Sequence, residues 1–140
     1  MTTASTNDNA QSGHRMPTYQ ALAHDIKNLG VECVFGLMSD DTALFATEID
    51  TIGIPFIGGR HENNAIAMAE GYSSTTGRLG IAIIGRGPAA ANGLHAAVSA
   101  SRTGSKVLII YGEMPVGGGA VNTIGPDYKA FNASGVLAAA

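Results

Sequence analysis

A second cysteine is missing from this sequence of 140 residues, so an internal disulfide is excluded. Cys33 lies in the apolar run 31–35 and reads as a small buried hydrophobe rather than a reactive thiol. The missing disulfides fit a reducing cytoplasm. Charge is also scarce, at 14 % of residues against 45 % hydrophobic. That balance can fill a core, and disorder of the whole chain is excluded. Positive charge is in deficit, with a net charge of −3, which removes the basic surface a nucleic-acid binder needs. Apolar runs such as 107–110 fall far short of the ~20 residues a membrane-spanning helix requires. The polar start MTTASTNDNAQSGHR has no apolar segment of a signal peptide. No internal repeat is visible, and no His, Cys, Asp and Glu set has metal-ligand spacing, so no metal site made by this chain alone is expected.

What is present in quantity is glycine, at 19 residues, mostly where a strand would hand over to a helix. This suits an α/β domain with close helix–sheet contacts, and a ligand approached by bare backbone. Residues 1–15 read as a flexible tail, and residues 16–140 as one domain. Pro17 and Thr18 start a helix with apolar positions Leu22, Ile26 and Leu29, closed at Gly30. Residues 31–36 form a strand. Ser39, Asp40 and Asp41 are candidate caps for a helix over 42–52, through Leu44, Phe45 and Ile49. A strand at 54–57, a helix at 61–75 closed by Gly77, and a strand at 79–84 follow. A small-residue helix at 88–101 and a strand at 106–111 complete the series; residues beyond Glu113 read as loop, and 133–140 trail off without a cap.

This alternation predicts a doubly wound, mostly parallel sheet with helices on both faces. Only four strands are visible where such sheets usually have about five or six. The expectation is therefore a domain that is truncated or completed by a partner chain.

The stretch 58–83 carries the most chemistry. Arg60-His61-Glu62 falls where a strand ends and a helix begins, the edge at which open α/β sheets bind ligands. Ala65, Met68, Ala69 and Tyr72 recur at helical spacing and would anchor that helix to the sheet. Glu62 then stands on a first turn held by a rigid element. By itself, a glutamate there can equally do no more than complement the helix dipole, worth ~0.3–1 kcal/mol. Gly85-Arg86-Gly87-Pro88 follows a buried strand, and its glycines allow a sharp turn beside a flat ligand. Neither a dinucleotide fingerprint nor a Gly-Lys-Ser/Thr phosphate loop is present.

Taken together, Arg60-His61-Glu62, the run Ala65-Ile66-Ala67-Met68-Ala69-Glu70-Gly71-Tyr72, Thr76-Gly77, and Gly87-Pro88 with Asn92 form a recognisable order. It is similar to the pyrimidine-binding domain of thiamine-diphosphate enzymes of the acetolactate synthase and benzoylformate decarboxylase superfamily. Val34-Phe35-Gly36 and the helix beginning at Met16 also match in place, so the resemblance covers roughly residues 16–125. It implies that Glu62 is the catalytic acid that meets N1′ of the cofactor's aminopyrimidine. It also implies that Gly36 with the turn after it, Pro88 and Asn92 line the cofactor pocket, and that the substrate is a small 2-keto acid. His61 belongs to the motif, although a structural role explains it equally well. His95 reads as a packing or interface residue, and His14 and His24 as tail and surface.

Three departures stand out. The turn after Gly36 reads Leu37-Met38-Ser39-Asp40-Asp41 in place of the family's G-x-P-G-G. Arg86 replaces a small polar residue, and the family's F-Q-E glutamine has only Asn132, after Phe131, as a counterpart. Nothing matches the G-D-G…N-N motif with which the family holds Mg²⁺ and the diphosphate. The resemblance therefore implies a diphosphate-binding partner domain or subunit, an oligomer, and a fragment or separate subunit that is inactive alone. A non-catalytic assembly or regulatory module on the same sheet is the rival expectation.

Overall fold

The structure, a computed structural model, describes residues 15–113 and 131–140. The elements run α1 (Thr18–Asn28), β1 (Val34–Gly36), α2 (Ala43–Thr51), β2 (Phe56–Gly58), α3 (Glu62–Thr76) and β3 (Gly80–Ile84). They continue with α4 (Pro88–Asn92), α5 (Leu94–Thr103), β4 (Val107–Tyr111) and α6 (Ala133–Leu137). The strands form one sheet in the order β2-β1-β3-β4, every neighbouring pair parallel. The expected α/β class with a parallel sheet is what the chain adopts. The tail expected at 1–15, with His14, and the loop after Glu113 lie outside the described residues, apart from Arg15 and residues 131 onward.

Side-chain alternation along the strands builds two cores. On β3, Ile81 and Ile83 join Ala23 and Ile26 of α1 and Phe45 and Ile49 of α2. The intervening Ala82 and Ile84 face the other way, onto Ala65, Ile66 and Ala69 of α3 and Ala96 of α5. Every residue of β3 is buried, as a central parallel strand covered on both faces must be. The chain moves from β1 outward to β2, then reverses across the sheet to β3 and β4. With crossovers of one hand, that reversal sends α2 and α3 to opposite faces.

Several local expectations need correction. On α1, Ile26 is buried as its spacing suggests, together with Ala23, whereas Leu22 is exposed, as is Leu29 at the helix C-cap. Leu44 on α2 is likewise exposed, and Phe45, Ala46 and Ile49 make the contact. None of Ser39, Asp40 and Asp41 caps α2; its N-cap is Thr42, without a side-chain hydrogen bond. The helix over 88–101 is two helices meeting at Gly93. A Cβ there would lie 2.5 Å from Ile66 Cδ1, so the bare backbone lets the chain pass close to α3. Asn63 Oδ1 then accepts the Ala96 N–H at 2.9 Å, satisfying a first-turn donor of α5. Residues 133–140 do not trail off either. Asn132 Oδ1 accepts the Gly135 N–H at 2.9 Å and caps α6, which packs against α4 and α5.

Helix α3 positions the site. It closes at Gly77, whose φ of 71° is left-handed and costs glycine nothing. Its interior glycine, Gly71, has open space where a Cβ would be. Gly71→Ala should therefore raise stability by about 0.5–1 kcal/mol, read as a higher urea midpoint at unchanged slope.

Candidate active site

Adjacent parallel strands whose connections leave in opposite directions open a crevice at their carboxyl ends. Here those strands are β1 and β3, paired through Phe35 with Ala82 and Gly36 with Ile83. A cavity of about 250 Å³ lies at that edge. Ser39 and Asp41 line it from the turn after β1, and Glu62 from the start of α3. Gly85, Arg86, Pro88, Ala89 and Asn92 line it from the turn after β3 and from α4. A larger cavity of about 330 Å³ lies between α5, β4 and α6, lined by Ala97, Val107, Ile109 and Leu137 among others. Among the described residues that line it, none has a titratable side chain, so they offer neither acid nor base.

Glu62 is the first residue of α3 and is half-buried. Its neighbour His61 is the N-cap, with Nδ1 accepting the Asn63 N–H at 3.2 Å. His61 thus holds the helix start rather than reaching into the cavity, whose lining does not include it. Asn92, at the end of α4, donates Nδ2–H to Glu62 Oε2 at 3.1 Å. The structure therefore brings together three of the residues singled out in the sequence, Glu62, Pro88 and Asn92. Gly36 stands apart. It is buried within β1, and a Cβ there would come within 2.7 Å of the Phe56 ring and the Ile83 carbonyl. Close sheet packing accounts for this glycine, and the cavity wall on that side is Ser39 and Asp41.

Ser39 and Asp41 form the wall that the resemblance gives to the turn after Gly36, but Asp41 and Arg86 are not individually legible as site residues in the sequence. Asp41 had been assigned to a helix cap, yet its Oδ2 accepts the Arg86 N–H at 2.8 Å and its Oδ1 the Ser39 hydroxyl at 2.6 Å. Arg86 had registered only as a departure from the family pattern. The signal that joins them is the strand order, which sequence periodicity does not carry. Gly87, between Arg86 and Pro88, has φ 69° and ψ −125°, a conformation open to glycine. Pro88 then starts α4, where its missing N–H is no loss.

The remaining candidates sit elsewhere. Asn132 spends its side chain on the α6 cap, and Phe131 is exposed. His95 is exposed beside a hollow of about 120 Å³ between α3 and α5, and His24 is exposed on α1. Cys33 precedes β1 at the opposite edge of the sheet, packed against the α3-side core, and burial pushes its thiol above the ordinary range. Among the described residues no group of three or more His, Cys, Asp and Glu could hold a metal ion. None of their helices is long and apolar enough to cross a membrane.

The family model for the thiamine pyrophosphate enzyme N-terminal TPP binding domain matches residues 16–132. The chain belongs to that family. It is 31 % identical over 96 residues to the acetolactate synthase large subunit of Haemophilus influenzae, covering 68 % of this chain and 17 % of that one. Among solved structures, a thiamin diphosphate-dependent enzyme from Mycobacterium smegmatis superposes with a TM-score of 0.64 at 22 % identity. That match covers 72 % of this chain and 20 % of the other. Benzoylformate decarboxylase from Polynucleobacter necessarius gives the same TM-score at 20 % identity, over 72 % of this chain and 19 % of its own. These superpositions establish the shared fold. The chain spans less than a fifth of the curated relative it matches.

This domain of thiamine pyrophosphate enzymes can be tested against its cofactor residue by residue. The aminopyrimidine end fits. A carboxylate stands at the mouth, an amide fixes one of its oxygens, and the opposite wall is Ala89, Pro88 and the bare backbone of Gly85. The diphosphate end does not fit the same cavity. Asp41 and Glu62 would face its negative charge, and among the described residues the lining has Arg86 as its one cationic side chain.

Proposed function

We propose that this chain is the aminopyrimidine-binding half of the active site of a thiamine-diphosphate-dependent enzyme acting on a small 2-keto acid. The observation that carries this reading is the hydrogen bond from Asn92 to Glu62 at the mouth of the cavity between the β1 and β3 turns. Asn92 occupies one carboxylate oxygen and leaves the other for a proton shared with a ring nitrogen. Glu62 stands on the first turn of a helix anchored by the buried Ala65, Ile66 and Ala69, so its position is set by packing. When bound, the cofactor supplies an acidic ring carbon that adds to the keto group and then takes up electrons released on decarboxylation. Glu62 contributes by holding or passing the proton on the aminopyrimidine. Pro88 and Ala89 keep water from one wall, and Glu62 remains half-buried until a second domain covers it.

Mg²⁺ and the diphosphate then belong to a partner domain or subunit, since the sequence has no match to the G-D-G…N-N motif and no group able to hold a metal ion lies among the described residues. The enzyme is an oligomer in this reading, with the α4–α5 segment as a contact. Reconstitution tests it. Adding a diphosphate-binding domain should yield turnover of pyruvate or a related 2-keto acid, while the chain alone shows no tight calorimetric binding of thiamine diphosphate. Tight binding by the chain alone contradicts the half-site, and absence of turnover after reconstitution favours a non-catalytic assembly module.

A further inference from the structure

The turn after β1 departs from the family pattern, and the structure shows what its acid does. The Asp41 carboxylate lies over the carboxyl edge of the sheet. It accepts the Ser39 hydroxyl of its own turn and the backbone N–H of Arg86 in the turn after β3. Two glycines make room for this arrangement. A Cβ on Gly85, directly after β3, would lie 2.7 Å from Ser39 Oγ. A Cβ on Gly112, directly after β4, would collide with Asp41 Oδ2. Turns after three strands therefore close on one carboxylate, although they are far apart in the chain.

Two residues beyond the Arg86 N–H comes Pro88, the start of α4, and α4 ends on Asn92, the donor to Glu62. We infer that Asp41 is a positioning residue that sets the start of α4, and through it the placement of Asn92 on Glu62. It acts on the cofactor site by way of the backbone and need not touch the cofactor. The catalytic consequence rests on the function proposed above. A misplacement of about 1 Å in such a constellation can cost as much as ~10²-fold in rate.

The test is made in the complete enzyme, reading exchange of the C2 proton of bound thiamine diphosphate. Asp41→Ala should slow exchange roughly tenfold or more. Asp41→Asn, whose amide oxygen still accepts the Arg86 N–H and whose NH₂ can donate to Ser39 Oγ, should stay within about threefold of the parent. Gly112→Ala should reproduce the Asp41→Ala defect by expelling the carboxylate. In the Asp41→Ala background it should add little, because the next atoms, Arg86 Cβ and N at 3.1 Å, need give only slightly. A double variant close to either single variant supports the assignment, whereas defects that multiply overturn it. Unchanged exchange in Asp41→Ala also overturns it. Glu62→Gln, run in parallel, separates the two ideas: unchanged exchange there removes the functional reading itself, while its loss beside an unaffected Asp41→Ala removes only the role of Asp41.

Discussion

Glu62→Gln in the complete enzyme should slow C2-proton exchange of bound thiamine diphosphate by about 10²–10⁴-fold, the range typical of losing a positioned acid or base. Gln keeps the shape of Glu, and its carbonyl oxygen can still accept the Asn92 Nδ2–H that now meets Glu62 Oε2. The pocket should therefore stay assembled. What disappears is the ability to hold or release a proton. Loss of the negative charge at the start of α3 forfeits at most about 1 kcal/mol of dipole stabilisation, so the thermal midpoint should move little. Cofactor affinity should fall far less than the exchange rate. A variant that exchanges at the parent rate with cofactor bound would end the case for Glu62 as the activating acid.

Gly80→Ala should be the most damaging single methyl in the domain. Gly80 opens β3, and a Cβ there would drive into the Ala69 carbonyl, with the carbonyl carbon at 2.8 Å and Cα at 3.1 Å. These are backbone atoms of α3, pinned by Ala65, Ile66 and Ala69, all fully buried. No side-chain rotation relieves the clash, so the helix must lift from the sheet. The cost should reach or exceed the upper part of the ~1–3 kcal/mol seen on overpacking. A urea titration measures it as a lowered midpoint. Activity should fall as well in the folded fraction, because the displaced helix carries Glu62 at its start. A midpoint equal to the parent's would contradict the close approach of α3 to β3. Gly71→Ala, on the same helix but facing open space, is the matched comparison.

The two glycines show why composition alone was informative only in part. The abundance of glycine implied close helix–sheet contacts, and Gly80 against Ala69 is such a contact, while Gly93 against Ile66 is a helix–helix one. Which glycine would be intolerant of a methyl was not legible, because that depends on what the third dimension places opposite. The same limit explains why spacing gives the faces of α1 and α2 only in part. Ile26, Phe45 and Ile49 are buried as their spacing suggests, but Leu22, Leu29 and Leu44 are exposed, and Ala23 and Ala46 complete the buried faces. Hydrophobicity weights the larger side chains, while the fold also buries small ones such as Ala23 and Ala46. The helix over 88–101 was read as continuous because its alanines carry no stop signal. The chain breaks at Gly93, and the Ala96 N–H in the first turn of the new helix finds its acceptor on another helix, Asn63 Oδ1.

Local order along the chain determined the α/β class, the parallel strands and the placement of Glu62 at a strand-to-helix handover. Those features follow from periods of two and 3.6 residues and from the glycines and proline at element ends, all of which act within a few residues. The tertiary structure decided which turns share an edge. By ordering the strands β2-β1-β3-β4, it set Asn92 on Glu62 across 30 residues of sequence and Asp41 on the Arg86 backbone across 45. Strand order is settled by which buried faces and crossovers can be satisfied together, a condition on the whole domain. Asp41, an unremarkable acid in the sequence, becomes the meeting point of three turns for that reason.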